Sequence, residues 1–235
     1  MQRIAGWALS RVGDAEIVVE CEQRIDADLN ARVLAVAGAI RQWRRPGVRD
    51  VVESYCAVTM HFDPLKTDIT ALLSQLEAEV ARAPAVVDDA RWGGRHLTVP
   101  VSYGGLYGPD LGAVATFASC SEAEVIVRHS AQSYRVYMLG FLPGFAYMGS
   151  VPPDLAMPRR KTPRLDVPAG SVGIAGQQTG VYPLAAPGGW QIIGRTPLVP
   201  FDLGRAEPFL FRPGDTIRFA PVSPERFEDL AVAVQ

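Results

Sequence analysis

Residues 141–201 read FLPGFAYMGSVPPDLAMPRRKTPRLDVPAGSVGIAGQQTGVYPLAAPGGWQIIGRTPLVPF, a stretch dense in Gly, Pro, aromatic and cationic residues. Glycine reaches backbone conformations closed to other residues, and proline fixes φ while removing a donor. A segment rich in both cannot be a long helix. It predicts short strands joined by shaped loops, with one short helical turn near Pro153 to Met157. Such loops are where a binding site is to be sought.

The chain has 235 residues, enough for two domains. Hydrophobic residues make up 48% and charged residues 20%, an ordinary globular balance able to bury a core. A formal net charge of -2 gives no bulk electrostatic reason to expect nucleic acid or an anionic membrane as partner. Cys21, Cys56 and Cys120 form no CxxC pair, so neither a disulfide framework nor a zinc site is predicted. No signal-peptide pattern opens the chain, and no run reaches the about 18 apolar residues of a membrane span. A cytoplasmic protein is expected.

In chain order, Arg3 to Leu9 and Glu16 to Cys21 read as paired strands turning through Ser10 to Asp14. Leu29, Val33, Val36, Ala37, Ile40 and Trp43 then share one helical face. A second strand pair, Val51-Val52 and Ala57 to Phe62, leads to a second helix carrying Ile69, Leu72, Leu73, Leu76 and Val80, with Thr67 or Asp68 as N-cap. This ββα-ββα order predicts a small α+β domain with helices on one face of a mainly antiparallel sheet. Pro84, Asp88, Asp89, Gly93 and Gly94 mark its end, giving domains at 1–88 and 89–235. The second domain opens with a strand, His96 to Tyr103, followed by a helix over Asp110 to Ala118 and another capped by Ser121 with Glu124. Strands at Tyr134 to Leu139, Gly170 to Ala175, Gln191 to Ile193, Leu198 to Phe201 and Thr216 to Ala220 make it mostly β.

Several residue groups have the chemistry of a site. His129, at a predicted helix end, suits a general base or a polar positioning group; it equally suits a surface histidine on a helix C-terminus. Arg159, Arg160, Lys161 and Arg164 put four cations within six positions, fit either to clamp an anion or to stand solvated. Phe141 before a Pro-Gly turn and Phe145 and Tyr147 after it could, with Trp190, wall a pocket or plug a barrel end. Gln178 and Thr179 offer amide and hydroxyl groups on a Gly-framed segment that is either a ligand loop or a hairpin turn. Arg195, in Gly-Arg-Thr-Pro, could fix an anion. Three scattered histidines make no metal site, and no P-loop, GxSxG, HExxH or GxGxxG pattern is present.

Taken in order, YGGLYGPDL (103–111), the helix ending in His129-Ser130, GFLPGFAYMG, PRRKTPRLDVPAGSVGIAG and GQQTGVYPLAAPGGWQIIGRTP resemble the KipI family, also called allophanate hydrolase subunit 1 or the B subunit of 5-oxoprolinase. RIAGWALSRVGDAEIVVEC and PGVRDVVESY extend the resemblance over nearly the whole chain. Gln177 stands where Asn is expected and Met148 where Leu is usual, differences that bear on ligand preference. The resemblance implies a cyclophilin-like β-barrel after the α+β domain, and a chain inactive alone that works with a subunit-2-type companion and a third subunit. It further implies an ATP-dependent opening of 5-oxoproline to L-glutamate, with ATP as co-substrate and no metal supplied by this chain. Arg159, Arg160 and Arg195 would then bind anions, Gln178 and Thr179 would orient substrate, and His129 would move a proton or position a polar group. The same family implies two alternatives: inhibition of a sensor histidine kinase, or carboxyl transfer on urea or allophanate.

Overall fold

A computed structural model describes residues 2–83 and 94–234. The chain divides into two compact units, Met1–Gly93 and Gly94–Gln235. The expected boundary at 88/89 lies outside the described residues.

The first unit runs β1 (Gln2–Ile4), β2 (Trp7–Val12), β3 (Glu16–Glu20), α1 (Ala27–Gln42), β4 (Val48–Glu53), β5 (Ala57–Phe62) and α2 (Ile69–Arg82). Its sheet has the order β1-β2-β3-β5-β4, antiparallel throughout. Strand alternation puts Trp7, Leu9, Ile17, Val19, Val58 and Met60 on one face, and all are buried with Val33, Ile40, Leu72, Leu76 and Val80 of the helices. Each such side chain contributes roughly 1.5–3 kcal/mol when fully buried. The helices start where short polar side chains cap them: Asp26 accepts from the Leu29 N–H, and Asp68 from those of Thr70 and Ala71.

The single strand expected over Arg3 to Leu9 is in fact two. Ala5 and Gly6 both take positive φ, 49° and 85°, the requirement of a two-residue hairpin turn whose twist matches its strands. Alanine carries no turn signal, so the pattern alone joins the two strands. β2 also extends through Ser10 to Val12, leaving the next turn to Gly13-Asp14-Ala15.

The second unit runs β6 (His96–Tyr103), α3 (Leu111–Phe117), α4 (Glu122–Ser130), β7 (Ser133–Leu139), β8 (Ala146–Gly149), a 3-10 turn at Pro153–Leu155, β9 (Arg164–Val167), β10 (Ser171–Ala175), β11 (Gln178–Val181), β12 (Ala186–Gly188), β13 (Gln191–Arg195), β14 (Thr216–Pro221) and α5 (Pro224–Val234). Seven strands close into a barrel in the order β10-β11-β8-β7-β14-β6-β13, with β14 and β6 parallel. β9 and β12 form a separate two-stranded sheet. The mainly β second domain is thus a closed barrel, filled by Val99, Val101, Val136, Met148, Ile174, Ile193, Ile217 and Phe219. Leu198 to Phe201, expected as a strand, is irregular, with one isolated bridge from Phe201 to Phe209. Pro197 and Pro200 remove donors that a ladder would need. α5 is an element the sequence reading does not contain, although Ser223 Oγ accepts from the Arg226 N–H and Pro224 opens the first turn.

The three cysteines are free thiols. No helix among the described residues is long and apolar enough to cross a membrane.

Candidate functional site

The outer surface of the barrel carries a box of aromatic rings. On β8, Ala146 and Met148 point into the barrel, so Tyr147 between them points out. Across from it on β11 stands Gly180, where a Cβ would lie 3.2 Å from the Trp190 ring and 3.3 Å from that of Phe145. The missing side chain lets these rings lie against the sheet. Phe145 meets Tyr182 edge to face at 5.0 Å and 90°, and Trp190 at 5.4 Å and 81°; Tyr147 lies 4.7 Å from Phe145. These are the geometries that aromatic quadrupoles favour.

The rings enclose one side of a cavity of ≈ 240 Å³ whose rim includes Phe141, Tyr147, Arg159, Pro163, Tyr182 and Trp190. The Arg159 guanidinium stands 5.9 Å from the Trp190 ring centroid, within cation–π range. Among the described residues it has no carboxylate partner. Burial raises the pKa values of both Tyr147 and Tyr182, with Arg159 opposing, so both remain phenols near neutral pH. Phe141, at the rim, holds φ at 67°, a left-handed conformation that costs a non-glycine residue of order 1 kcal/mol.

The cation cluster behind this cavity divides by direction. Asp110, 4% exposed, receives Arg164 in a bidentate pair at 2.7 and 2.8 Å, Arg160 at 3.0 Å and the Ile192 N–H at 2.7 Å. It sits at the N-cap of α3 but makes no capping bond, because its oxygens are turned to these donors. The Arg160 N–H donates to the Gly189 carbonyl and Gln191 Nε2 to the Pro158 carbonyl. The loop bearing Arg159 is thereby fastened to the segment that bears Trp190. Arg160, expected to bind an external anion, already has its anion inside the protein; this corrects that assignment.

His129 stands apart from the cavity. It is fully buried inside the barrel, its ring stacked 4.8 Å from Phe219. Thr179 Oγ1 donates to the Gly173 carbonyl at 3.0 Å and so accepts from His129 Nε2–H at 3.0 Å. Nδ1 must then accept the Tyr103 hydroxyl at 2.8 Å. The ring is neutral, both nitrogens are occupied, and burial pushes its pKa down to about 3. That geometry gives no path for a proton to a ligand, and it corrects the general-base expectation for His129 and the substrate-orienting one for Thr179. The Gly176–Gly180 segment is a hairpin: Gly176-Gln177 turns, and Gln178 opens β11 on the outer face, without lining the cavity.

Arg195 lines a different cavity, of ≈ 360 Å³, with its Nε donated to the Ala169 carbonyl at 2.7 Å. The aromatic cavity therefore unites Phe145, Tyr147, Arg159 and Trp190 and leaves Arg160, His129, Gln178, Thr179 and Arg195 elsewhere. Sequence reading missed Tyr182 and Asp110. The signal for Asp110 was charge: an acid in a Gly-Pro-Asp turn, in a chain that also carries a four-cation cluster. Among the described residues, no three His, Cys, Asp or Glu side chains are grouped to hold a metal ion.

The family model described as "Carboxyltransferase domain, subdomain C and D" matches residues 7–211, and the chain belongs to that family. It is 41% identical over 210 residues to the 5-oxoprolinase B subunit of Escherichia coli O157:H7, covering 89% of this chain and 94% of that one. It is 37% identical over 224 residues to the 5-oxoprolinase B subunit of Bacillus subtilis (strain 168), covering 92% and 93%. Among solved structures, the protein TTHA0988 superposes with a TM-score of 0.78 at 36% identity; 88% of this chain is covered but only 40% of that one. The urea amidolyase of Kluyveromyces lactis shares the fold, with a TM-score of 0.76 at 20% identity over 97% of this chain and 15% of its own.

Proposed function

We propose that this chain is the B-type subunit of an ATP-dependent 5-oxoprolinase, a cytoplasmic assembly in which a subunit-2-type companion and a third subunit complete the active site. The two relatives named as B subunits of 5-oxoprolinase support the reading. The observation that carries it here is the small cavity in which Arg159 stands over Trp190 without a carboxylate partner among the described residues. 5-Oxoproline is a compact ring bearing one carboxylate. Its methylenes suit the walls of Phe145, Tyr147 and Trp190, its carboxylate suits the Arg159 guanidinium, and its lactam oxygen suits a phenol donor from Tyr182.

An unactivated lactam resists water. Transfer of the γ-phosphoryl group of ATP to the lactam oxygen makes the carbon electrophilic; water then adds, the C–N bond breaks as nitrogen takes a proton, and a second water releases phosphate from the acyl phosphate. Holding a triphosphate takes several cations or oriented amides, whereas this cavity offers one arginine, since Arg160 and Arg164 are engaged by Asp110. In this reading the barrel presents and orients the lactam, and the nucleotide is held chiefly by the companions. The cyclophilin-like barrel is a rigid frame for that presentation.

The test is reconstitution: coexpress the three chains and measure ATP-dependent glutamate release from 5-oxoproline with each chain omitted in turn. Loss of activity without this chain is expected. In the complete assembly, Arg159→Ala is expected to raise KM for 5-oxoproline about 10- to 100-fold, the loss of one charge-assisted contact. Full activity from the companions alone, or an unchanged KM, would overturn the proposal.

A further inference from the structure

The cavity at Arg195 shares no lining residue with the aromatic one. We propose that it is a second small-molecule site, one that takes a free α-amino acid. Three features of the ≈ 360 Å³ cavity carry this. Arg195, half-buried at the end of β13, has its Nε tied to the Ala169 carbonyl at 2.7 Å, which fixes the guanidinium plane and leaves both terminal nitrogens as donors. Glu228, on α5, accepts the Tyr107 hydroxyl through one carboxylate oxygen. Tyr107 in turn packs against Phe227, the rings tilted by 39° with centroids 4.4 Å apart, holding the helix and its acid against the cavity.

Arg195 and Glu228 thus line one cavity with opposite charges, and among the described residues they form no salt bridge with each other. Each is tethered instead by a neutral group, a carbonyl for the cation and a phenol for the anion. A plain anion would be drawn to Arg195 but repelled by Glu228, and a plain cation the reverse. A zwitterion satisfies both: its carboxylate pairs with the guanidinium and its ammonium with the glutamate. Pro183, Pro197 and Pro200 supply rigid apolar walls for the side chain. Phe227 and Glu228 lie beyond residues 7–211, the part matched by the family model, so the acidic side of this cavity comes from outside it. These contacts are independent of the reaction proposed above.

The experiment uses the full chain, titrated calorimetrically with each of the protein L-amino acids. The tightest binder is then compared with its N-acetyl derivative, which lacks the ammonium, and its α-amide, which lacks the carboxylate. Saturable binding is expected, weakened about tenfold or more in both derivatives and in Arg195→Gln and Glu228→Gln, and unchanged in Arg159→Ala. Glu228 is exposed on its helix, so Glu228→Gln keeps the test valid if the Arg195 variant fails to fold. An N-acetyl derivative that binds as tightly as its parent would make this a plain anion site and overturn the proposal. So would the absence of saturable binding by any amino acid, or an unchanged affinity in folded Glu228→Gln.

Discussion

The barrel interior around His129 and the barrel exterior around Trp190 are built from the same materials, stacked rings with polar groups set among them. Inside, the donors around His129 are all engaged by neighbours among the described residues: His129 bonds Tyr103 and Thr179, Thr179 bonds Gly173, and the Tyr134 hydroxyl bonds the His129 carbonyl. Outside, the rings leave a cavity, and a guanidinium reaches into it with no carboxylate among the described residues to hold. Residue type is therefore a poor guide to a site; what distinguishes the regions is whether donors and charges are already matched. The same distinction runs through the cation cluster, where Arg160 and Arg164 are matched by Asp110 and their neighbour Arg159 is not.

The contrast between matched and unmatched charge is tested hardest at Asp110. Asp110→Ala removes the acceptor that, among the described residues, two guanidinium groups and the Ile192 N–H share; the Arg160 and Arg164 side chains, 37% and 24% exposed, can turn partly to water, but the buried Ile192 N–H cannot. An expected loss of about 2–3 kcal/mol follows, below the about 3–5 kcal/mol of a fully buried pair because both guanidinium groups reach water, read as a lower denaturant midpoint for the barrel transition. A loss under about 1 kcal/mol would mean that the three donors find other partners.

The interior is tested next by pH. The folded pKa of His129 is pushed down to about 3 by burial, while the unfolded chain holds it near 6.5. Between those values the unfolded state binds the extra proton, so stability is retained above about 6.5 and lost as pH falls toward 3, by roughly 1.4 kcal/mol per pH unit. Unfolding free energies measured from pH 7 to pH 5 should fall more steeply in the wild-type chain than in His129→Gln. Equal slopes would place a water-accessible, protonatable histidine where a sealed one is described. Thr179→Val, which keeps the shape but strands the Gly173 carbonyl and the His129 N–H, should cost about 1–3 kcal/mol by the same measurement.

Much of the fold was legible because local rules and tertiary demands agree. The 3.6-residue spacing of Leu72, Leu76 and Val80, the caps at Asp68 and Ser121, and the alternation in His96–Tyr103 all name elements that formed. The Ala5-Gly6 turn was hidden because only its second residue signals a turn. The aromatic cavity was legible in part, since Gly and Pro concentrate its rings and Arg159 in one stretch. The division between Arg159 and Arg160 was not: adjacent side chains on a loop diverge according to an acid 50 residues earlier in the chain. Nor could the burial of His129 be read, because the rings that seal it come from β6, β7 and β14, which meet only when the barrel closes.

The smallest expected effect sharpens the contrast most. Arg159 is exposed and lends its charge to no carboxylate among the described residues, so apart from its contact with Trp190, Arg159→Ala should change stability by no more than about 0.5 kcal/mol, the range of surface substitutions. Its contact with the Trp190 face, at 5.9 Å and open to water, adds about 0.5–1 kcal/mol at most. A residue that is nearly silent in folding yet raises KM in the assembled enzyme is positioned for a ligand rather than for the fold. If Arg159→Ala instead destabilised the barrel as much as Asp110→Ala does, the guanidinium would belong to the protein's internal pairing, and the exterior cavity would be as closed to chemistry as the interior around His129.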